Sequence, residues 1–433
     1  MSTQAASLAD LPWWQVFGDP ALQRLIGAAL DSNYDLRRAV ARVEQARWLA
    51  GQARAGYFPQ ASYVADLERA RNAFHGAPAP QEGRTGDPVQ VAATALWELD
   101  FWGRVRRLNE SARAQWLATE EARRGVQLSL VGDVAQAYFE LLALDQQLAI
   151  ARRATNSFGE SLTIFTQRLE RGAASGLERA RAAAALAGVA ATVPSLERQL
   201  ALKESQLSVL LGRNPGPVAR GIGLAQQAAP LEVPAGLPSD LLRRRPDLRE
   251  AEQRLRAANA QIGVAAANFF PKFELTALYG RVSADLESFN DDTSEAWSVG
   301  GTAAGPLFEG GALKAQLRQA VAARDEAALA YEQAVRSAFL EVADALTARA
   351  KLEEICALQA LAVTAYQESV ALSLERYKAG KASYYEVLEA QQQLFPAENA
   401  LAQAQLDRLS TVIRIYKALG GGWNLPDNAR PPP

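Results

Sequence analysis

The sequence is nearly devoid of the residues that carry thiol and soft-metal chemistry. Its 433 residues include one cysteine (Cys356), one histidine (His75) and one methionine (Met1). An intramolecular disulfide, a zinc cluster, a Cys/His catalytic dyad and a methionine-ligated copper site all need more of these residues. We therefore expect no metal and no cofactor, and the lack of any nucleotide-binding or hydrolase motif argues against an enzyme.

Charge of one sign and long apolar runs are also missing. The 46 Lys and Arg residues balance 48 Asp and Glu residues, for a net charge of −2, so a nucleic-acid partner is not expected. No run approaches the roughly 18 uncharged apolar residues of a transmembrane helix, and the first residues lack the basic and apolar regions of a signal peptide. The 49% hydrophobic content nevertheless indicates a folded chain with a sizeable core.

The chain contains an internal repeat. Tyr57-Phe58-Pro59 recurs as Phe269-Phe270-Pro271, 212 residues later, and Gly172 recurs as Gly380, 208 residues later. Such self-similarity indicates two copies of one structural unit.

Each copy is predicted to combine helices with one β-hairpin. The first copy covers residues 1–212, with a hairpin at about 57–101, a long helix over 103–171 and a return helix over 173–212. The second copy covers residues 213–433 and contains, in order, a linker, a helix over about 239–268, a hairpin at about 269–308, a long helix over 311–378, a return helix over 382–419 and a C-terminal tail. Each return helix contains a proline, Pro194 or Pro396, which is expected to bend it.

The hairpins are predicted from an alternation of apolar and polar residues, which is clearest at residues 89–101. A period of two puts one set of side chains on each face of a strand. One face carries Val89, Val91, Ala93, Ala95, Trp97, Leu99 and Phe101. The other carries Gln90, Ala92, Thr94, Leu96, Glu98 and Asp100. We therefore expect four amphipathic strands per chain, two from each copy.

The long helices exceed those of ordinary globular domains. No proline interrupts residues 103–171 or 311–378, and about 69 helical residues would extend roughly 100 Å. From Leu130 to Leu169, apolar residues follow spacings of four and three, which predicts left-handed coiling with partner helices.

Four amphipathic strands cannot close a membrane barrel alone. Bacterial barrels begin at about eight strands, and lipid does not tolerate an open sheet edge. Two copies would give about eight strands with a filled interior, whereas three would give about twelve strands around a lumen. The pattern therefore predicts an oligomeric duct.

Six segments, in order over almost the whole chain, resemble the TolC-like outer-membrane efflux proteins, and most of all the lipoprotein branch that serves multidrug pumps. They are Trp13–Pro20, Tyr57–Pro59, Glu98–Arg104, Arg244–Leu248, Phe269–Pro271 and Tyr416–Trp423. The resemblance implies an α+β membrane protein, a homotrimer whose twelve-stranded outer-membrane β-barrel is continued by a long periplasmic α-helical barrel. It also implies the outer-membrane channel of a tripartite efflux pump, surrounded by outer-membrane lipid and joined to an inner-membrane efflux transporter by a periplasmic adaptor (membrane fusion) protein.

Members of that branch carry a signal peptide and a lipidated cysteine shortly before the Trp13-Trp14 segment. This sequence contains neither. Both are therefore expected to precede it in the natural protein.

The resemblance implies a periplasmic gate near the second helical turn. Glu386 and Glu389 are three residues apart and share a helix face, and in the family acidic side chains at matching positions ring the closed entrance. Tyr377 and Tyr385 match gate-region positions. The residues alone leave open an exposed acidic face and aromatic packing between helices.

The turns that end the long helices are the expected adaptor contacts. Their glycines supply a left-handed cap, and their serines can cap the returning helix. The tip residues are Arg168, Gly172, Ser175, Arg376, Gly380 and Ser383. A plain helical hairpin would need the same glycines and serines.

Three tryptophans at or beside the strands, Trp97, Trp102 and Trp297, are expected in the aromatic belt at the membrane interface. The alternative is that they are core residues.

Two other functions remain open from the sequence. One is the exit duct of a type I protein secretion system. The other is a soluble coiled-coil scaffold whose alternating segments are surface hairpins and which would stay monodisperse without detergent.

Overall fold

The structure is a computed structural model that describes residues 16–71, 85–227 and 242–421. The main elements in these ranges are α1 (Pro20–Ser32), α2 (Tyr34–Ala55), β1 (Gln60–Leu67), β2 (Val89–Leu99), α3 (Arg104–Glu170), α4 (Gly176–Ala190), α5 (Thr192–Leu210), α6 (Pro246–Ala267), β3 (Lys272–Ser283), β4 (Glu295–Ala304), α7 (Ala312–Lys378) and α8 (Tyr384–Ala418). Trp13, Trp14, His75 and Trp423, which the sequence singles out, lie outside the described residues.

The two long helices occur where the lack of proline predicts them. Helices α3 and α7 contain 67 residues each, which corresponds to about 100 Å of continuous helix. The first return helix differs from the expectation, because the single helix predicted over 173–212 is two helices, α4 and α5, which meet at Ala191. Pro194 lies in the first turn of α5, where its missing N–H breaks no intrahelical hydrogen bond. This proline therefore marks a helix start instead of a bend, whereas Pro396 lies inside the continuous helix α8.

Close contacts divide the chain into two compact units. The helical unit consists of Met1–Val40, Glu121–Arg249 and Ala334–Pro433, and the strand unit consists of Ala41–Glu120 and Glu250–Gln333. Each unit contains segments from both predicted repeats, since strands from the two halves of the chain pair in one sheet. The repeat boundary near residue 212 remains a prediction about internal similarity.

In the strand unit, the four strands form one antiparallel sheet in the order β1-β2-β3-β4. The central pair, β2 and β3, joins the two halves of the chain, and its register aligns Ala93 with Tyr279. Within the described residues, the outer edges of β1 and β4 pair with no strand. The sheet of one chain therefore presents two open edges of unpaired backbone groups.

The hydrophobic core of the helical unit lies between α1, α3 and α8. Leu22 and Ile26 of α1, at helical spacing, are fully buried with Val134 of α3 and Tyr416 of α8. Burying such a side chain contributes roughly 1.5–3 kcal/mol. The amphipathic face of α1 is thus held by the two longer helices.

A buried carboxylate fixes the start of α1. Asp19 is fully buried, and its Oδ1 accepts the N–H of Ala21 at 2.8 Å as the helix N-cap. Its Oδ2 accepts from the Tyr138 hydroxyl (2.7 Å), the Gln227 side-chain amide (2.8 Å) and the Ile222 N–H (3.1 Å). Burial raises the pKa of Asp19, but these hydrogen bonds favour the ionised form and the net pKa lies below its ordinary value.

Helix α7 contains a long and mainly apolar stretch. Among the described helices it alone contains an 18-residue stretch that could cross a bilayer by length and composition. Charged residues interrupt every such stretch in α7, so the expected lack of a long uncharged apolar run is not contradicted. Only 11% of the stretch is buried, and α7 exposes Leu340, Leu358 and Leu361 in a single chain. Apolar surface of this kind is typical of a face that packs on another subunit.

We expect Asp19→Asn to lower the apparent melting temperature. The asparagine side chain would present either an NH2 group or a neutral oxygen to the three groups that now donate hydrogen bonds to Oδ2. A buried polar group left without a hydrogen-bond partner costs about 1–3 kcal/mol. Because the folded-state pKa is lowered, the stabilisation is complete above the ordinary value of 3.8 and is lost as pH falls through the lowered pKa.

Thermal melts between about pH 7 and about pH 3 check this expectation. The difference between the wild type and Asp19→Asn should shrink at the acidic end, while the exposed Asp35→Asn serves as the control. A difference that stays constant with pH would mean that ionisation of Asp19 does not stabilise the fold.

Candidate functional site

One face of the sheet is apolar and exposed across all four strands. The register aligns one row of residues, Tyr63, Ala93, Tyr279 and Trp297. The neighbouring row consists of Ala61, Ala95, Ala277 and Val299. Trp297 is 72% exposed and Val299 is 77% exposed. An apolar surface of this extent indicates contact with a membrane or a partner.

The opposite face carries most of the polar residues of the strands. The hydroxyls of Ser62 and Thr94 share a hydrogen bond of 2.8 Å across β1 and β2. Toward the end of the sheet that leads into the helices, Glu98 lies directly opposite Glu274, a like-charge pair that is unfavourable on its own. Arg104 offsets it, since its Nε donates to Glu98 at 2.8 Å. The alternation predicted for β2 therefore leaves one face mainly apolar and places most of the polar strand residues on the other.

Aromatic residues gather where the strands meet the helices. Trp102 donates its indole N–H to the carbonyl of Pro271 at 2.8 Å and stacks on Phe270, with ring centroids 4.5 Å apart. Trp97 donates its indole N–H to the carbonyl of Tyr57 at 3.0 Å. Each of the two repeated aromatic-Phe-Pro motifs thus accepts a hydrogen bond from one tryptophan.

The segment Glu98–Arg104 forms the joint between β2 and α3. Asp100 accepts the N–H groups of Val105 (3.0 Å) and Arg106 (2.9 Å) and so caps the long helix. Gly103 has a φ of +82°, a conformation that strains other residues. The motif is therefore a turn with its own helix cap.

Trp297 lies nearer the other end of the sheet. It is opposite Tyr279, which is nine residues after Phe270. At about 3.3 Å per residue and a tilt of about 40°, this separation gives roughly 23 Å of height, close to the roughly 25 Å apolar band of a membrane barrel. The three tryptophans thus lie at two levels of the sheet, and their place at the membrane interface stays a prediction.

The two tip turns share one backbone geometry. Gly172 and Gly380 have φ angles of +73° and +69°. The N–H of the residue after each glycine donates to the carbonyl of Arg168 in the first turn (2.8 Å) and of Arg376 in the second (2.9 Å). This is the glycine-terminated helix end expected from the sequence.

The tip serines differ. Ser175 caps α4 in a reciprocal capping box with Glu178. Ser383 occupies the N-cap position of α8, but its side chain makes no capping hydrogen bond.

Arg168 and Tyr377, which the sequence assigns separately to a tip and a gate, are in contact. The guanidinium group donates a hydrogen bond to the tyrosine hydroxyl and lies 5.2 Å from its ring centroid. Tyr377 packs edge-on against Tyr384, and Tyr384 packs against Phe165.

Tyr384 and Phe165 are buried in a cluster that joins α3, α4, α7 and α8. Tyr384 was not predicted as a tip residue, although its spacing from Val387 and Leu388 places all three on one helix face.

The remaining predicted gate residues lie on the opposite, exposed side of α8. Glu386, Glu389 and Tyr385 are exposed in a single chain. Glu386 forms an ion pair with Arg376 at 3.7 Å. The structure therefore brings gate and tip residues together, and the acidic ring stays a prediction.

A buried arginine explains two other motifs. Arg245 donates to Asp247 (2.7 Å), Glu341 (2.7 Å) and the carbonyl of Ala418 (3.0 Å). Burial lowers the pKa of Arg245, but these partners outweigh it and the net pKa is raised. Gly420, with a φ of +69°, packs against the neighbouring backbone. The Arg-Arg-Pro-Asp-Leu and Lys-Ala-Leu-Gly-Gly segments thus form one joint in the helical unit.

The described residues contain no group of three or more His, Cys, Asp or Glu side chains that could hold a metal ion. Cys356 is buried, and burial raises the pKa of its thiol. A thiol in this state is a poor nucleophile.

Comparisons with known proteins agree with this geometry. The profile of the Outer membrane efflux protein family matches residues 25–213 and 237–421. The chain is 39% identical over 416 residues to the solvent efflux pump outer membrane protein SrpC of Pseudomonas putida, which covers 96% of this chain and 88% of that protein.

Solved structures share the fold. The outer-membrane channel OprN matches with a TM-score of 0.89 and 31% identity over 98% of this chain and 94% of that one. The open state of the MtrE channel of Neisseria gonorrhoeae matches with a TM-score of 0.87 and 32% identity, again over 98% and 94%. The fold class expected from the sequence is confirmed by these neighbours.

Two adjacent substitutions test the assignment of the sheet faces. Ala93→Arg places a cation on the apolar face, where lipid contact near mid-depth costs about 2–4 kcal/mol, whereas Thr94→Arg points to the polar face. We expect Ala93→Arg to reduce the amount of assembled protein in outer-membrane fractions and Thr94→Arg to leave it unchanged. Equal loss in both variants would show that the alternation does not define a lipid-facing surface.

Proposed function

Because the chain belongs to the outer membrane efflux protein family and is an efflux channel of the outer membrane with a periplasmic helical extension, we propose that three copies form one passive duct of a tripartite pump. The observation that supports this most directly is the four-stranded sheet with two open edges. Lipid does not tolerate open edges. Three chains would pair β1 of one with β4 of the next and close a barrel of about twelve strands.

The difference between the two faces of the sheet is evidence for a lumen inside the barrel. The row from Tyr63 to Trp297 would face lipid, and the polar side with Ser62, Thr94 and Glu274 would line the passage. The exposed leucines of α7 would be covered by neighbouring subunits. A soluble scaffold would not be expected to expose so large an apolar sheet face.

The partners proposed for this duct are a periplasmic adaptor and an inner-membrane efflux transporter. Exposed tip turns at Gly172 and Gly380 support an adaptor contact, because their backbone is presented at helix ends. The name of SrpC, a solvent efflux pump protein, makes solvents the first candidates among the drugs and other small molecules that would pass. It also favours efflux over protein secretion.

We do not propose catalysis for this chain. Transport through such a duct requires a shaped lumen and a gate, while the energy would come from the inner-membrane transporter.

The gate is proposed at the tips. In a trimer, Glu386 and Glu389 would place carboxylates around the entrance, where they would attract cations and repel one another. The contact of Arg168 with Tyr377 would hold α3 and α7 together in the closed state.

The first expected outcome concerns assembly. Native mass spectrometry of the detergent-solubilised protein should give a trimer, because three sheets are needed to enclose a lumen. Folded protein that is monomeric or dimeric in detergent would contradict the proposal.

The second concerns the gate. Glu386→Gln combined with Glu389→Gln keeps side-chain size and removes the charge, so it should weaken cation preference and block by multivalent cations in single-channel recordings. Glu354→Gln is the matched control, since Glu354 lies 24 residues before the end of α7 and roughly 36 Å from the tip. Unchanged selectivity in the double variant would place these residues outside the gate while leaving the duct intact.

A further inference from the structure

The apolar face of the sheet carries a depression. Its floor is made of small side chains on three neighbouring strands, Ala61, Ala93, Ala95 and Ala277. Tyr279, Trp297 and Val299 form one wall. The depression is open to one side and has a volume of about 450 Å³.

The shape follows from the sequence. Alanines on adjacent strands leave the backbone surface low, and the large residues of β3 and β4 rise beside it. The lining is almost entirely apolar, so water finds few hydrogen-bond partners there. A hydrocarbon chain would instead bury apolar surface.

A positive charge lies beyond one end of the depression. Arg281 is two residues after Tyr279 on β3, about 7 Å further toward the β3–β4 loop. Its Nη1 donates to the carbonyl of Phe289 in that loop at 3.1 Å, which turns the guanidinium away from the apolar floor. Among the described residues, no ion pair involving Arg281 is present within 4.0 Å.

Glu295 lies opposite Arg281 in the β3–β4 register. This side chain is exposed and can accept hydrogen bonds from hydroxyl or amide groups. A headgroup that carries both phosphate and such donors would satisfy the arginine and the glutamate together.

We propose that this depression binds a phosphorylated glycolipid of the outer leaflet, with one acyl chain on the alanine floor and a phosphate at Arg281. The inference rests on the proposed function, because it takes the apolar face to be in contact with the membrane. The β3–β4 loop lies at the end of the sheet away from the helices, so in an outer-membrane channel with a periplasmic helical extension it faces the outer leaflet. Arg281 is therefore at headgroup level.

The test uses the delipidated trimer in mild detergent and native mass spectrometry. The probes are a bisphosphorylated hexa-acyl glucosamine disaccharide, phosphatidylglycerol and phosphatidylcholine. We expect the glycolipid to be retained in preference to both phospholipids. Arg281→Gln removes a charged contact and Ala277→Leu fills the floor of the depression, so each should reduce retention of the glycolipid by about tenfold. A tenfold change corresponds to about 1.4 kcal/mol.

Two matched controls separate the site from general effects. Lys272→Gln removes a positive charge from the other end of β3, and Ala303→Leu adds the same bulk on the apolar face outside the depression. Both should retain the glycolipid as the wild type does.

Several outcomes would overturn the proposal. They are equal retention of phosphatidylglycerol and glycolipid by the wild type, wild-type retention by Arg281→Gln, or loss in the controls. Single-channel conductance of each variant is measured in parallel. A conducting trimer that fails to retain the glycolipid would remove the binding site and leave the duct standing, whereas a protein that neither assembles nor conducts would contradict the proposed function itself.

Discussion

A backbone N–H or carbonyl group left unpaired in hydrocarbon costs several kcal/mol, and this constraint governs the architecture of the chain. One chain supplies four strands, with two open edges within the described residues. Such a sheet is unsuited to lipid until its edges are paired by other copies. Pairing the edges with further copies closes a ring, and the alternation of side chains then gives the ring an apolar outside and a polar inside. The duct is thus a consequence of edge pairing combined with a period of two.

Polar groups are buried elsewhere only where they are satisfied. Asp19 accepts four hydrogen bonds, and Arg245 makes contacts with two carboxylates and one carbonyl. Each links segments that are far apart in the sequence, so each fixes a joint that apolar packing alone would leave less specific. The joint between strand and helix follows the same rule, since Asp100 caps α3 and both nearby tryptophans use their indole N–H groups.

The tips combine one repeated backbone turn with a small set of exposed contacts. Glycine with positive φ ends both long helices in the same way. The bond of Arg168 to Tyr377 and the ion pair of Arg376 with Glu386 are partly exposed. Exposed contacts of this kind are individually weak and can exchange partners, which is compatible with the proposed gate.

The sequence by itself determined the features that depend on local period and on single residue types. Alternation at residues 89–101 gave the two faces of β2, freedom from proline gave the long helices, and glycine gave the turns at Gly172 and Gly380. These features are set by neighbours within a few residues, where the steric preferences of the backbone decide.

Only the tertiary structure decided which distant groups meet. No local pattern indicates the pairing of β2 with β3 or the contact of Arg168 with Tyr377. The same holds for the partners of Asp19, because Tyr138 and Gln227 lie 119 and 208 residues away from it in the sequence. The break at Ala191 was likewise not predicted. Such contacts depend on how the chain brings remote segments together, and on which surfaces other subunits cover, and neither is encoded in the spacing of adjacent residues.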